Sequence, residues 1–209
     1  MAHLVLAGDS VFDNAAYVGR GPCVAEQVRA ALGAAWHVTR LARDGAVLDD
    51  VAGQLADLPA GATHLAISAG GNDVLRQAGL LELPVPRVAE ALDQLGRLQE
   101  AFGRQYAAML QTAAATRLPL VVATIYDAVP GLTQAARTAL AVFNDSIVRL
   151  ALPRKAAVLE LRAICTRAAD FAAVSPIEPS VRGGRRIAAA LARFLTRHPS
   201  GWQECIMVA

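Results

Sequence analysis

Histidine and cysteine are scarce in this chain. Its 209 residues include only four histidines (His3, His37, His64, His198) and three cysteines (Cys23, Cys165, Cys205). Three well-separated cysteines make neither a disulfide framework nor a zinc knuckle. There is no basic tract or stripe, and 20 Lys+Arg against 18 Asp+Glu leave a formal charge of only +2. Nucleic acid is therefore not an expected partner. No apolar run approaches the roughly 20 residues that span a bilayer. The strongest, Leu118–Ile125 between Arg117 and Asp127, reads as a buried strand. The opening MAHLVLAGDS lacks the basic start and long apolar stretch of a signal peptide. A soluble, cytoplasmic protein without a membrane partner is the expectation.

What the chain does have is apolar mass. Apolar residues make up 55% of it and charged residues 18%, which suits a large core and excludes a disordered chain. The length suits one domain, residues 1–209. Short apolar runs at His3–Ala7, Trp36–Leu41, His64–Ser68, Leu118–Thr124 and Ala156–Leu161 read as strands. Helical spacing predicts helices over Pro22–Leu32, Val47–Leu58, Pro86–Thr116, Thr133–Leu152 and Arg182–Arg197. Gly96 and Gly103 are candidate breaks in the third of these. Continuous rather than alternating apolar strands, separated by helices, predict an α/β fold. Its parallel sheet of five strands is covered on both faces. In such a fold the site lies beyond the carboxyl ends of the strands.

Those ends carry the chemistry. The first strand exits into Gly8-Asp9-Ser10, which sets a hydroxyl nucleophile at the sheet edge. The second leads to Ala42-Arg43-Asp44-Gly45 and the third to Gly70-Gly71-Asn72-Asp73. The N–H groups of Ser10 and Gly45 and the Asn72 amide are candidate donors to a developing oxyanion. Asp9, Asp13, Asp73 and Glu178 are carboxylates near the same ends, but their spacing matches no metal-binding loop. Asp13 and Asp73 read more simply as acceptors for loop amides, so neither metal nor cofactor is expected. Tyr126 and Asp127 are candidates for a pocket wall or a turn before Pro130-Gly131. Gly183 and Gly184, near a helix start, are candidate anion-binding amides.

Four blocks in this order resemble the SGNH (GDSL-type) hydrolases. LVLAGDSVFD is similar to the nucleophile block, with Ser10 and the Asp13 found in many members. ARDGAVLDD is similar to the second block, with Gly45 in the glycine place. AISAGGNDVL is similar to the third, with Gly70 and Asn72. VSPIEPSVRGGRRIAAAL resembles the last. The resemblance implies a flavodoxin-like three-layer α/β/α sandwich. It also implies hydrolysis of a small-molecule ester or thioester through an acyl-serine.

The last block departs from the family pattern. An aspartate and, three residues on, a histidine are usual there; this chain has Ser175 and Glu178. The usual histidine base is therefore missing. His3, His37 and His64 fall at the amino ends of strands, at the opposite sheet edge, and His198 lies beyond the last helix. Glu178 is left in the base place, with Ser175 beside it, and apolar neighbours Pro176, Ile177 and Pro179 would raise its pKa. Two other uses stay open for Glu178: capping the last helix, or pairing with Arg182, Arg185 or Arg186. Two functions follow. One is a serine ester hydrolase with Ser10, Glu178 and Ser175 as its working set. The other is a non-catalytic binding protein whose donors hold a carboxylate or acyl group. Oligomeric state is not readable from the sequence.

Overall fold

The computed structural model describes residues 1–209. Six parallel strands form one sheet: β1 Ala2–Gly8, β2 Trp36–Arg40, β3 His64–Ser68, β4 Leu120–Ala123, β5 Ala157–Leu159 and β6 Met207–Val208. Their order is β2-β1-β3-β4-β5-β6. The expected count of five is corrected by β6. This two-residue edge strand pairs Met207 with Val158 and Val208 with Leu159. A stretch so short has no periodicity to read, and its pairing with β5 alone defines it.

Seven helices connect the strands: α1 Val24–Leu32, α2 Asp50–Ala56, α3 Gly71–Leu75, α4 Val88–Ala115, α5 Gln134–Ala151, α6 Leu161–Ile164 and α7 Val181–Arg197. Their ends follow local chemistry. Glu26 accepts the Cys23 N–H at 2.9 Å ahead of α1, and Gly33, at φ +70°, ends that helix. The Thr133 and Ser180 hydroxyls accept amides at the starts of α5 and α7. Helix α4 runs unbroken through Gly96 and Gly103.

Burial explains the strand sequences. Every residue of β3, β4 and β5 is buried, whereas edge strand β2 is only half-buried. One core layer packs the sheet against α1, α6 and α7, and the other packs it against α2, α4 and α5. Gly184 lets α1 and α7 approach closely: a Cβ there would stand 3.0 Å from Val24 and 3.1 Å from Gln27. Gly183 is likewise a packing residue, since its Cβ would fall 2.0 Å from the Asp170 carbonyl oxygen. The expected anion site at Gly183 and Gly184 is thereby corrected. Their amides go to the Ser180 side chain and carbonyl.

The strand order reverses between β1 and β3, and a cleft opens at such a switch point. Both strands discharge their loops there, and the loop after β2 joins them.

Candidate active site

Gly8 ends β1 at φ +108°, where a Cβ would lie 1.7 Å from the Ser68 carbonyl oxygen. Only glycine allows the exits of β1 and β3 to meet this closely. The buried Gln54 side chain clamps Gly8 twice, accepting its N–H at 2.6 Å and donating to its carbonyl at 2.9 Å. Asp9 N–H then donates to the Ser68 carbonyl at 2.8 Å, and the Phe12 and Asp13 amides fold back onto the Asp9 carbonyl. This tight turn presents Ser10, 7% exposed, at the edge of the sheet. The Ser10 N–H has no protein acceptor.

The other donors are held by the same short-range logic. Asn72 gives one amide hydrogen to the Ala46 carbonyl at 2.9 Å, which leaves its second hydrogen unused. Gly70, at φ +108°, turns the chain into α3; a Cβ there would press on the Phe102 ring at 3.0 Å. Asp73 accepts the Leu48 N–H at 3.1 Å. The Gly45 loop is tied down by Arg43 N–H on the Gly8 carbonyl and by Asp44 N–H on Asp13, both at 3.0 Å. Arg40 pairs with the other oxygen of Asp13. Gly45, at φ +75°, is exposed, and its N–H has no protein acceptor. Asp13 thus supports the loop and does not line the cavity described below; nor do Gly45 and Gly70.

Glu178 comes from the other end of the chain. It is 4% exposed, and its Oε2 is buried without a hydrogen-bond partner. Burial first, then the charges of Asp9 and Asp44, push its carboxyl up from 4.5 to about 7; contact with the Ser10 hydroxyl opposes the rise. Asp9, 4% exposed, is pushed up from 3.8 to about 7 by burial, with the Asp73 charge adding to it. The alternative uses of Glu178 are filled by others. Ser180 caps α7, and Arg182 and Arg186 pair with the fully buried Asp170 at 3.2 and 3.7 Å. Ser175 meets Glu178 through its backbone: its carbonyl accepts the Glu178 N–H at 3.0 Å. Ser175 does not line the cavity.

Asn14, which the sequence reading passed over, and Tyr126, expected as a pocket-wall or turn residue, hold the segment that carries Glu178. Asn14, fully buried, donates to the Pro179 carbonyl at 2.9 Å and accepts the Val24 N–H at 2.8 Å. The Tyr126 hydroxyl donates to the Ile177 carbonyl. Gln54 belongs with them as the clamp on Gly8. The only signal in the sequence was a polar residue inside or beside an apolar run. The Pro179 partner of Asn14 and the Ile177 partner of Tyr126 lie 165 and 51 residues away along the chain.

The four histidines stand where the sequence implied. His3 stacks edge-on with His37 and contacts the Thr39 hydroxyl; His64 packs against Trp36 and Trp202, and His198 against Phe194. None of them lines the cavity. All three cysteines are free thiols. No three His, Cys, Asp or Glu side chains lie together in a metal-holding group.

The cavity at Ser10 is apolar. Its volume is about 160 Å³, and 19 of its 27 lining residues are hydrophobic. Asp9, Ser10, Asn72 and Glu178 form one part of its wall; Tyr126 contributes as well, and Asp127 does not. A hydroxyl, a proton carrier near neutrality and unused N–H donors thus meet beside an apolar chamber. That set can perform acyl transfer.

No family model matches the sequence, and no curated protein matches it. The fold is shared with solved lipolytic enzymes. A lipase from a goat rumen metagenome superposes with a TM-score of 0.74 at 16% identity, covering 92% of this chain and 97% of that one. A member of the lipolytic G-D-S-L family from Veillonella parvula gives 0.69 at 15% identity, covering 94% and 100%. An acetyl xylan esterase from Geobacillus stearothermophilus, solved as a variant, gives 0.65 at 17% identity, covering 93% of each chain. No helix is long and apolar enough to cross a membrane.

Proposed function

We propose that the protein is an SGNH-type serine ester hydrolase in which Glu178 replaces the usual histidine. The observation that carries this reading is that Ser10 and Glu178 line one cavity, where burial pushes the Glu178 carboxyl up to about 7. A base works best when its pKa lies near the operating pH.

The route follows from the donors and acceptors. Ser10 Oγ attacks the acyl carbonyl of an ester or thioester, and its proton passes to the Glu178 carboxylate. The carbonyl oxygen becomes an oxyanion, held by the Ser10 and Gly45 N–H groups and the unused Asn72 hydrogen. Collapse expels the alcohol or thiol, which leaves with the proton from Glu178. Water then attacks the acyl-serine and gives a proton to Glu178. The second tetrahedral adduct releases the carboxylic acid, and Ser10 Oγ recovers that proton. Beyond the ester and one water, every step uses groups of this chain. A reducing, intracellular compartment suits its three free thiols.

A fluorophosphonate probe tests the reading. Wild type is expected to label and Ser10→Ala is not. If wild type stays unlabelled while a serine esterase run alongside is labelled, Ser10 is not activated. One observation favours a second reading, a binding protein on the same scaffold: Glu178 Oε2 has no hydrogen-bond partner, so the proton path is not yet formed. Turnover of a short acyl ester that disappears in Ser10→Ala excludes this second reading.

A further inference from the structure

The lipolytic and acetyl-carbohydrate enzymes that share this fold make different demands on a substrate cavity. An acetyl group fills little space, and the sugar that carries it needs polar partners. A long acyl chain needs apolar volume and no charge. The chamber beside Ser10 meets the second description. Its enclosed volume is about 160 Å³ and 19 of its 27 lining residues are hydrophobic, so it suits an apolar chain rather than a sugar. The only charged residues in its wall are Asp9 and Glu178. Leu98 of α4 and Ala136, Leu140 and Phe143 of α5 form the side away from the sheet. Leu75 and Leu81 come from the segment that links β3 to α4, and they line the chamber while standing 51% and 41% exposed. The approach to the chamber is therefore apolar as well, a feature that marks a binding surface on a folded chain.

We propose that this chamber is an acyl-chain site, and that the enzyme prefers esters of medium-chain fatty acids over acetyl esters. The proposal rests on the hydrolase reading above. The carbonyl carbon lies at Ser10, and the alkyl tail runs between α4 and α5 under Leu75 and Leu81. Each methylene buried in the chamber tightens the complex, so chain length is read as affinity and rate.

The experiment measures kcat/KM for p-nitrophenyl acetate, butyrate, octanoate and decanoate. It uses wild type and two chamber-filling variants, Ala136→Phe and Ala139→Trp. Wild type is expected to favour octanoate over acetate by about tenfold or more. The variants are expected to lower that ratio by about tenfold. Acetate preferred by wild type, or an unchanged ratio in either variant that folds, overturns the proposal. Displacement of a fluorescent fatty acid by decanoate provides an independent readout. If no ester is cleaved but decanoate binds wild type, and binds the variants more weakly, the chamber assignment stands and the hydrolase reading fails. If decanoate neither binds nor is cleaved from its ester, the chamber assignment fails.

Discussion

A carboxyl with a pKa near 4.5 is a poor partner for a serine hydroxyl, whereas one near 7 takes and returns a proton at neutral pH. At Glu178 burial does most of this work, and Asp9 adds to it by standing near with a charge of the same sign. The acid limb of kcat/KM is therefore expected near pH 7, with activity falling as Glu178 gains its proton. Asp9→Asn removes the repelling charge without changing the shape of the side chain. Its acid limb is expected about one unit lower, since the Glu178 carboxylate then forms more easily. A pH–rate profile with an unmoved limb would show that Asp9 does not act on the base. Glu178→Gln is expected to lower kcat/KM by about 10²–10⁴ above pH 7, with the deficit shrinking at lower pH as wild-type Glu178 gains its proton. Ser10 and Asn72 were legible in the sequence because each belongs to a short block at a strand end, and Glu178 because its block leads into the last helix. Asp9 was legible only as one more carboxylate. Its influence depends on burial and on a neighbour from the far end of the chain.

At the scale of elements, the apolar runs were faithful guides. His64–Ser68 is read from the sequence with its observed limits, and α4 and α5 differ from expectation by one or two residues at each end. Strand β6 was not legible, because two residues carry no pattern until a neighbour pairs with them. Gly70 and Asp13 were found by position in their blocks, but their work is to shape and anchor loops, whereas Gly45 keeps an exposed N–H with no protein acceptor. Ser175 contributes a carbonyl to the turn that carries Glu178. The joint that matters most escaped the sequence altogether. Asn14 ties the turn after β1 to the first turn of α1 and to the strand-like segment before α7. Asn14→Ala leaves the Val24 N–H and the Pro179 carbonyl without partners inside the protein. Each such loss costs about 1–3 kcal/mol. A urea midpoint is expected to fall accordingly. Activity of the folded variant should also drop, because Glu178 sits next to the freed Pro179. A wild-type midpoint and kcat in Asn14→Ala would remove this joint from the account.

For the whole molecule, two core layers hold a sheet whose carboxyl edge meets several of the buried polar residues. Two of those residues, Asp9 and Glu178, are carboxyls whose pKa values rise from 3.8 and 4.5 to about 7 on folding. Between the two values of each group, the folded state binds the proton and the unfolded state does not. Stability from these groups is complete below about pH 4 and is lost as pH rises through about 7. One such group is worth up to about 3–4 kcal/mol across that window. Other groups pull the opposite way. Burial holds His3 and His64 below 6.5, and Arg162 and Thr124 hold Glu160 below its ordinary value despite burial. Those three lose stability on acidification, so the total pH dependence of wild type is a mixture. A difference between two proteins removes the common part. Glu178→Gln keeps the shape of the side chain and deletes only its titration. The stability of this variant relative to wild type is therefore expected to rise by about 1–3 kcal/mol between about pH 5 and about pH 8. Urea unfolding of both proteins at the two pH values measures it. A gap that stays constant would mean that Glu178 titrates alike in the folded and unfolded chains. A proton carrier tuned by burial could then not be part of the mechanism.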